Sequence, residues 1–455
     1  GVAPGDFVFL LGFPGLTMRY APSSRLAYND QIAVPRLIAD FGEKLSLIKT
    51  FATDRAATLK LQTAKKQLAN EYKRSVGKRV MMRKLSLEAE RRAEEAALCA
   101  TKPEAKLLLE GLQRVYETLR GSAELSAALG VMRGIFHGST LLALGHALHE
   151  GSVEAAKPDN EREAEYRTRN LPFMIKRLTK RLADLHPPQE AALLRLAAAT
   201  AARLPLGLLA DDLAALEEVA HMLDAGSLPQ VAQLNATEIE AILHGEKPLP
   251  DDDAVRIAAV VYPAYCSERD SSKALMSERD KLIADLLELQ KELGTEAFYP
   301  DANGCLRLSA GHVEGYKAAD AVEHAPLTTL GGLIDKHIES RLLSNDATDS
   351  STADEFDCPP QLMELCSNDK VAAATPACIL YSTDTVGGNS GSPVLDADGN
   401  FVAINFDRQR LGLMNEFKWS KDFSRSIGTD VRYILLLVGK YSGAQWLVDE
   451  MLTSQ

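Results

Sequence analysis

Hydrophobic positions change their period twice along the chain. Phe7-Val8-Phe9-Leu10-Leu11 is a short apolar run closed by the turn Gly12-Phe13-Pro14-Gly15. The run reads as a strand, and the residues from there to about 40 read as an extended segment. From about residue 41 to 295 apolar residues recur at helical spacing. Leu59, Leu61, Leu68, Tyr72 and Val76 fit one helix face, and Leu107, Leu108, Leu112, Val115, Tyr116 and Leu119 fit another. Pro103, Pro187-Pro188, Pro229 and residues 248–253 punctuate this region, which predicts roughly eight to ten helices. From about residue 296 the strand pattern returns. Residues 305–309 come directly after the turn Asp301-Ala302-Asn303-Gly304, and Val394-Leu395 and residues 401–406 flank Asp396-Ala397-Asp398-Gly399 as a hairpin. Residues 344–357 are polar and read as a surface loop; residues 431–452 read as one or two helices.

The pattern therefore describes an α+β chain in three stretches: a β segment at 1–40, a helical domain at 41–295 and a β unit at 296–455. The simplest architecture is one β unit interrupted by a large all-helical insertion.

Composition narrows the function classes. The chain has 455 residues, 46% hydrophobic, enough for two or three packed units. Its net charge of -12 argues against a nucleic-acid partner, which demands clustered Lys and Arg. No apolar run reaches the ~20 residues of a membrane span; the longest, around residues 141–148, is broken by Gly145 and His146. The six cysteines lack metal-type spacing, so no metal is expected. Cys358 and Cys366 read either as a local disulfide or as free thiols. The first residues carry neither a signal peptide nor an initiator Met, so the chain reads as the continuation of a longer protein.

The densest chemical signal is Gly387-Gly388-Asn389-Ser390-Gly391-Ser392-Pro393-Val394. It looks like the nucleophile loop of a chymotrypsin-type serine peptidase, with Asn389 where most such enzymes have Asp. A serine hydroxyl needs a base to take its proton, and its tetrahedral intermediate needs donors aimed at the oxyanion. In such a loop Ser390 is the nucleophile and the amides of Gly388 and Ser390 are the donors. Neutral Asn389 cannot pair with a freed N-terminus, so activation by N-terminal cleavage is not expected. Downstream, Asp407 and Arg408 end the strand that in these enzymes lines the specificity pocket. They read either as a solvated pair or as sites for a substrate cation and a substrate carboxylate, which the planar Arg fork suits.

These residues together resemble the bacterial dipeptidyl-peptidase 7 / dipeptidyl-peptidase 11 family of serine exopeptidases. The resemblance covers essentially the whole chain: Gly5-Asp6-Phe7-Val8 with Gly12-Phe13-Pro14-Gly15, Tyr299-Pro300-Asp301-Ala302-Asn303, Leu306-Arg307-Leu308, Thr328-Thr329-Leu330-Gly331-Gly332, the Ser390 octet and Asp430-Val431-Arg432-Tyr433 match in order. It implies a chymotrypsin-like double β-barrel with a helical insertion that caps the cleft. It also implies release of dipeptides from peptides with free N-termini, with no cofactor. Asp407 would hold the substrate α-ammonium. Arg408 stands where Gly marks the subgroup preferring hydrophobic penultimate residues and Arg the subgroup preferring Asp or Glu. Asn70, in Leu68-Ala69-Asn70-Glu71-Tyr72-Lys73, corresponds to a helical-domain Asn at the substrate N-terminus, or else sits on a solvated helix face; Arg74 stands where a second family Asn is often found. A periplasmic or cell-surface location and a homodimer are implied as well.

The family's triad His and Asp lie upstream of the Gly-Asp-Phe-Val segment, where this chain begins. None of its nine histidines has a triad-like context. The expectation is therefore the C-terminal portion of a serine dipeptidyl peptidase, with little activity by itself. The alternative is a noncatalytic homologue that binds peptides or proteins.

Overall fold

The computed structural model of the chain describes residues 1–203, 206, 208–292, 299–343 and 356–453. The chain divides into two units: Gly1–Ala21 with Thr295–Gln455, and Pro22–Gly294.

The first unit is built on an antiparallel sheet. Its strands are β1 (Phe7–Gly12), β2 (Arg307–His312), β3 (Tyr316–Ala319), β4 (Val322–His324), β5 (Leu327–Thr329), β6 (Pro376–Tyr381), β7 (Pro393–Asp396), β8 (Phe401–Arg408) and β9 (Ser426–Asp430). Seven of them run in the order β2-β1-β7-β8-β9-β6-β5, and β3 and β4 form a separate ribbon. The seven-stranded sheet curls onto itself. Just past β2, Val313 pairs with Tyr381 at the end of β6. The Glu314 amide donates to the Leu380 carbonyl (3.2 Å) and the Ser382 amide to the His312 carbonyl (3.0 Å). Closure satisfies strand edges that would otherwise be exposed. The alternation of β1 explains its place: Val8 and Leu10 point into a core with Val313, Ile379, Tyr381, Val394 and Val402.

The predicted hairpin is β7–β8. Asp396 Oδ1 accepts the amides of Asp398 (3.0 Å) and Asn400 (2.9 Å), and Gly399 supplies the positive φ of +84°.

The second unit is all helical: α1 (Ser23–Tyr28), α2 (Val34–Phe51), α3 (Arg55–Lys84), α4 (Leu87–Thr101), α5 (Ala105–Met132), α6 (Thr140–Ala155), α7 (Leu171–Ala183), α8 (Pro187–Ala201), α9 (Ala210–Asp224), α10 (Ala236–Leu243) and α11 (Asp253–Glu292). Local signals set the starts. Asp54 caps α3 through the Ala57 amide (2.8 Å), and Ser139 caps α6 through the Leu142 amide (3.1 Å). Asn235 and Glu238 form a capping box on α10, and prolines occupy the first turn of α2, α7 and α8. Leu141, Leu144, Leu148, Leu194, Ile239 and Ile257 lie in its largest core.

Five further helices decorate the first unit: α12 (Leu330–Leu343), α13 (Pro360–Asn368), α14 (Lys370–Ala373), α15 (Val431–Leu436) and α16 (Gln445–Thr453).

One expectation needs revision and one open alternative is decided. The stretch to residue 40 is not extended: it is helical from Ser23, with a π turn at Asn29–Ala33 immediately before Pro35. Cys358 and Cys366 are free thiols, packed with Leu330 and Leu362. Apart from residues 356 and 357, the polar stretch 344–357 lies outside the described residues. No described helix is long and apolar enough to cross a membrane.

The helical core buries an ionisable knot. His146 Nε2 accepts from Arg133 Nε (2.9 Å), lies 3.3 Å from Glu150 Oε2, and meets the Tyr265 ring edge-on at 4.9 Å. Glu150 also takes the Tyr166 hydroxyl (3.0 Å) and Arg269 (3.3 Å). Burial pushes the His146 pKa below its usual 6.5. His137, His149 and His186 shift the same way, again mainly by burial. Above pH ~6.5 neither state binds these protons. Below it the unfolded chain does and the folded chain resists. Stability should therefore fall on acidification from about pH 6.5, by up to about 1.4 kcal/mol per pH unit for the well-buried His146 and by less for the more solvated His137, His149 and His186. Urea melts at pH 7.5, 6.5 and 5.5 check this; a midpoint that rises toward pH 5.5 contradicts it.

Candidate active site

Two glycine turns interlock to present Ser390. Gly388 has φ +106°, which favours a residue without Cβ, and a Cβ there would also run into the Phe13 carbonyl oxygen. The Gly15 amide donates to the Gly387 carbonyl (2.7 Å), and a Cβ on Gly15 would lie 2.8 Å from that oxygen. The Gly12-Phe13-Pro14-Gly15 turn is thus the backing of the serine loop.

Asn389 is buried beneath the loop. Its Oδ1 accepts the Val386 amide (3.0 Å), and its carbonyl accepts from Asn405 Nδ2 (3.0 Å) and the Ser392 amide (3.0 Å). Asn405 in turn takes the Tyr381 hydroxyl on Oδ1 (2.6 Å), while its own carbonyl receives the Gly391 amide (2.7 Å). Burial raises the Tyr381 pKa far above its normal range, so the hydroxyl stays a donor. These bonds hold Ser390 at the surface.

Ser390 Oγ donates to the Phe406 carbonyl (3.2 Å). That carbonyl belongs to a β-bulge: Asn405 pairs with Gly428 and Asp407 with Ile427, leaving Phe406 as the extra residue. A bulge reverses the side-chain alternation beyond it. Ile404 and Phe406 point outward, so an unbroken strand would turn Arg408 outward too. Instead the Arg408 side chain is only 9% exposed, with Nη2 3.9 Å from Glu416 Oε1, itself 10% exposed. Asp407 stays exposed and accepts the Arg408 amide on Oδ1 (2.8 Å).

Among the described residues, neither the Gly388 nor the Ser390 amide donates a hydrogen bond within the protein. None of the three histidines of this unit bonds to Ser390: His312 Nδ1 lies 3.2 Å from the Gly5 carbonyl, His324 stacks on Tyr316, and His337 Nδ1 accepts the Cys358 amide. Ser390, Gly388, Asp407 and Arg408 thus converge in one unit. Asn70 lies on the exposed surface of α3, in the other unit. No described group of three His, Cys, Asp or Glu side chains is arranged to hold a metal.

A family model described as Peptidase S46 matches residues 1–453. The chain belongs to the peptidase S46 family. This S46 chain is 28% identical over 476 residues to an Asp/Glu-specific dipeptidyl-peptidase of Capnocytophaga gingivalis, covering 99% of this chain and 64% of that protein. It is 27% identical to the Asp/Glu-specific dipeptidyl-peptidase of Flavobacterium psychrophilum, covering 99% and 63%. It is 22% identical to dipeptidyl-peptidase 7 of Porphyromonas endodontalis, covering 99% and 55%. The S46 chain therefore spans less than two thirds of these relatives' length. Among solved structures, Porphyromonas endodontalis DPP11 in complex with the dipeptide Arg-Glu superposes with a TM-score of 0.74 at 21% identity, over 99% of this chain and 65% of that one. That likeness is one of fold.

Glu416, buried beside Arg408, is a residue that sequence reasoning missed. It sits at the end of a short helical turn, Arg410–Glu416, with nothing in its neighbours to mark it. Asn405 was missed too, though a polar residue at a buried strand position is a readable signal.

Proposed function

We propose that this chain is the C-terminal portion of a serine dipeptidyl peptidase that releases dipeptides from free peptide N-termini, preferring Asp or Glu as the penultimate residue. The observation that carries the reading is the joint geometry of Ser390, two unengaged amides and a buried Arg408 around one strand bulge. Ser390 Oγ attacks the second peptide carbonyl. Its proton passes to a base and then to the departing amine, and the acyl-enzyme is hydrolysed by water. The Gly388 and Ser390 amides stabilise the oxyanion. Arg408 receives the acidic side chain. Asp407 receives the α-ammonium, whose position limits cleavage to dipeptides.

The base and its carboxylate partner come from outside these residues, so the chain alone is expected to be inactive. A chymotrypsin-like pair of barrels, a periplasmic or cell-surface location and a homodimer belong to the same reading, on the family resemblance. The lack of a described histidine on Ser390 within its unit favours one other reading, a noncatalytic peptide binder.

The discriminating measurement uses the complete natural protein with Leu-Asp and Leu-Leu fluorogenic amides. Release of Leu-Asp at least about tenfold faster is expected, from one charge-assisted hydrogen bond of about 1.5–3 kcal/mol. Peptide binding without any release would support the noncatalytic reading.

A further inference from the structure

Helix α3 is out of balance with the rest of the chain. Within a protein of net charge -12, its 30 residues RAATLKLQTAKKQLANEYKRSVGKRVMMRK hold ten lysines and arginines against one acid, Glu71. Some of these cations face acids or carbonyls close by, and Lys73 and Lys78 have interactions of their own. Arg83 and Arg79 face Asp30 (2.8 and 3.6 Å), Arg74 pairs with Glu71 (2.6 Å), and Lys60 donates to the Leu185 carbonyl (3.3 Å).

Four cations form a line along the helix. Arg55, Lys66, Lys73 and Lys84 are spaced by eleven, seven and eleven residues and are all exposed. At about 100° per residue these spacings return to within roughly 20° of one direction. Glu71 is roughly 160° away around the helix, so the line carries no acid of its own. Exposed Leu59 and Val80 flank it, and Asn70 lies about 40° from Lys66.

We infer that this line is a docking track for an acidic peptide in extended conformation. The spacing selects the occupant. The four cations span about 43 Å at 1.5 Å per residue, with gaps of about 10–16 Å. An extended peptide advances about 3.3 Å per residue, so carboxylates three to five residues apart meet successive cations, and about 13 residues cover the track. Nucleic acid, with a charge every ~1.7 Å of duplex, calls for a far denser cationic surface than a single file. The flanking Leu59 and Val80 suit a polypeptide. The inference rests on the peptide-substrate reading for its biological sense: acidic chains that reach the helix would be held by its local cationic field, an attraction that fades with salt.

The test is binding, so it does not depend on catalysis. The probe is a fluorescently labelled, N-acetylated peptide of about 13 residues with Glu at every fourth position; its blocked N-terminus cannot serve as an exopeptidase substrate. Anisotropy titration with the 455-residue chain at low salt should give affinity at least about tenfold above that for the Gln-substituted peptide. The variant Lys66→Gln/Lys73→Gln/Lys84→Gln should lose that advantage with unchanged circular dichroism and Tm. Lys66→Gln alone should lose about threefold, and Lys65→Gln/Lys106→Gln, off the line, should retain it. Equal binding of the Gln peptide overturns the inference, as does full binding by the triple variant. So does tighter, line-dependent binding of single-stranded DNA or of phosphatidylglycerol vesicles. If the acidic peptide binds as described but the complete protein releases no dipeptides, the track stands and the peptidase reading falls.

Discussion

Replacing Ser390 by alanine in the complete natural protein lowers kcat for dipeptide release by about 10⁶-fold, the scale on which serine hydrolases lose activity without their nucleophile. KM should stay within about threefold of wild type. On the proposed mechanism Oγ would form its new bond only as the transition state is reached, and ground-state binding would be left to Arg408, Asp407 and the strand backbone. The variant should also fold normally. Ser390 is exposed, its hydrogen bond to the Phe406 carbonyl lies at the surface, and the loop is held from below by Asn389 and Asn405. Surface changes of this kind usually alter stability by less than about 0.5 kcal/mol. Steady-state kinetics with thermal melts would check both halves. Retention of a tenth of the wild-type rate would remove Ser390 from the mechanism.

The second large effect concerns selectivity. Arg408→Gly should reduce kcat/KM for a penultimate Asp or Glu by about 10–150-fold, the equivalent of one charge-assisted hydrogen bond of about 1.5–3 kcal/mol. A hydrophobic penultimate residue should lose little or gain. A complication lies in Glu416, which is buried and 3.9 Å from the guanidinium. Deleting a cation beside a buried carboxylate can cost several kcal/mol of stability. The informative comparison is therefore Arg408→Gly/Glu416→Gln, which removes both charges and should restore the Tm lost by the single variant without restoring acidic preference. Substrate pairs differing only in Asp against Leu give the readout. An unchanged ratio in the double variant would show that Arg408 does not read the penultimate side chain.

Much of this architecture was legible because it rests on local signals. The apolar run at residues 7–11, closed by its glycine turn, the Asp396–Gly399 turn and the 3.6-residue period across the insertion each identify an element within a short window. The Ser390 octet was legible for a related reason: positive φ at Gly388 and the backbone approach to Phe13 and Gly15 admit few residue types. What escaped were consequences of tertiary register. The bulge at Phe406 leaves no mark in the strand's sequence, yet it turns Arg408 from solvent to interior. Glu416 gains its meaning only from that reversal. The boundary near residue 40 was misjudged because the helical run from Ser23 to Phe51 carries a π turn at Asn29–Ala33 followed by Pro35, which break the 3.6-residue period where the helix begins.

The closed sheet also has a temporal consequence. β1 ends at Gly12, while its partners begin at Arg307 and Pro393. At a ribosomal rate of roughly 5–20 residues per second, β1 waits about 15–60 s for its first neighbour and longer for its second. Throughout that interval an apolar strand has both edges unpaired, while the intervening helices can complete their own core. The serine loop, backed by Gly12 and Gly15 and held by Asn405, cannot be completed before β8 emerges. A nascent chain of this protein should accordingly depend on a holdase that shields residues 7–12 until β2 and β7 emerge.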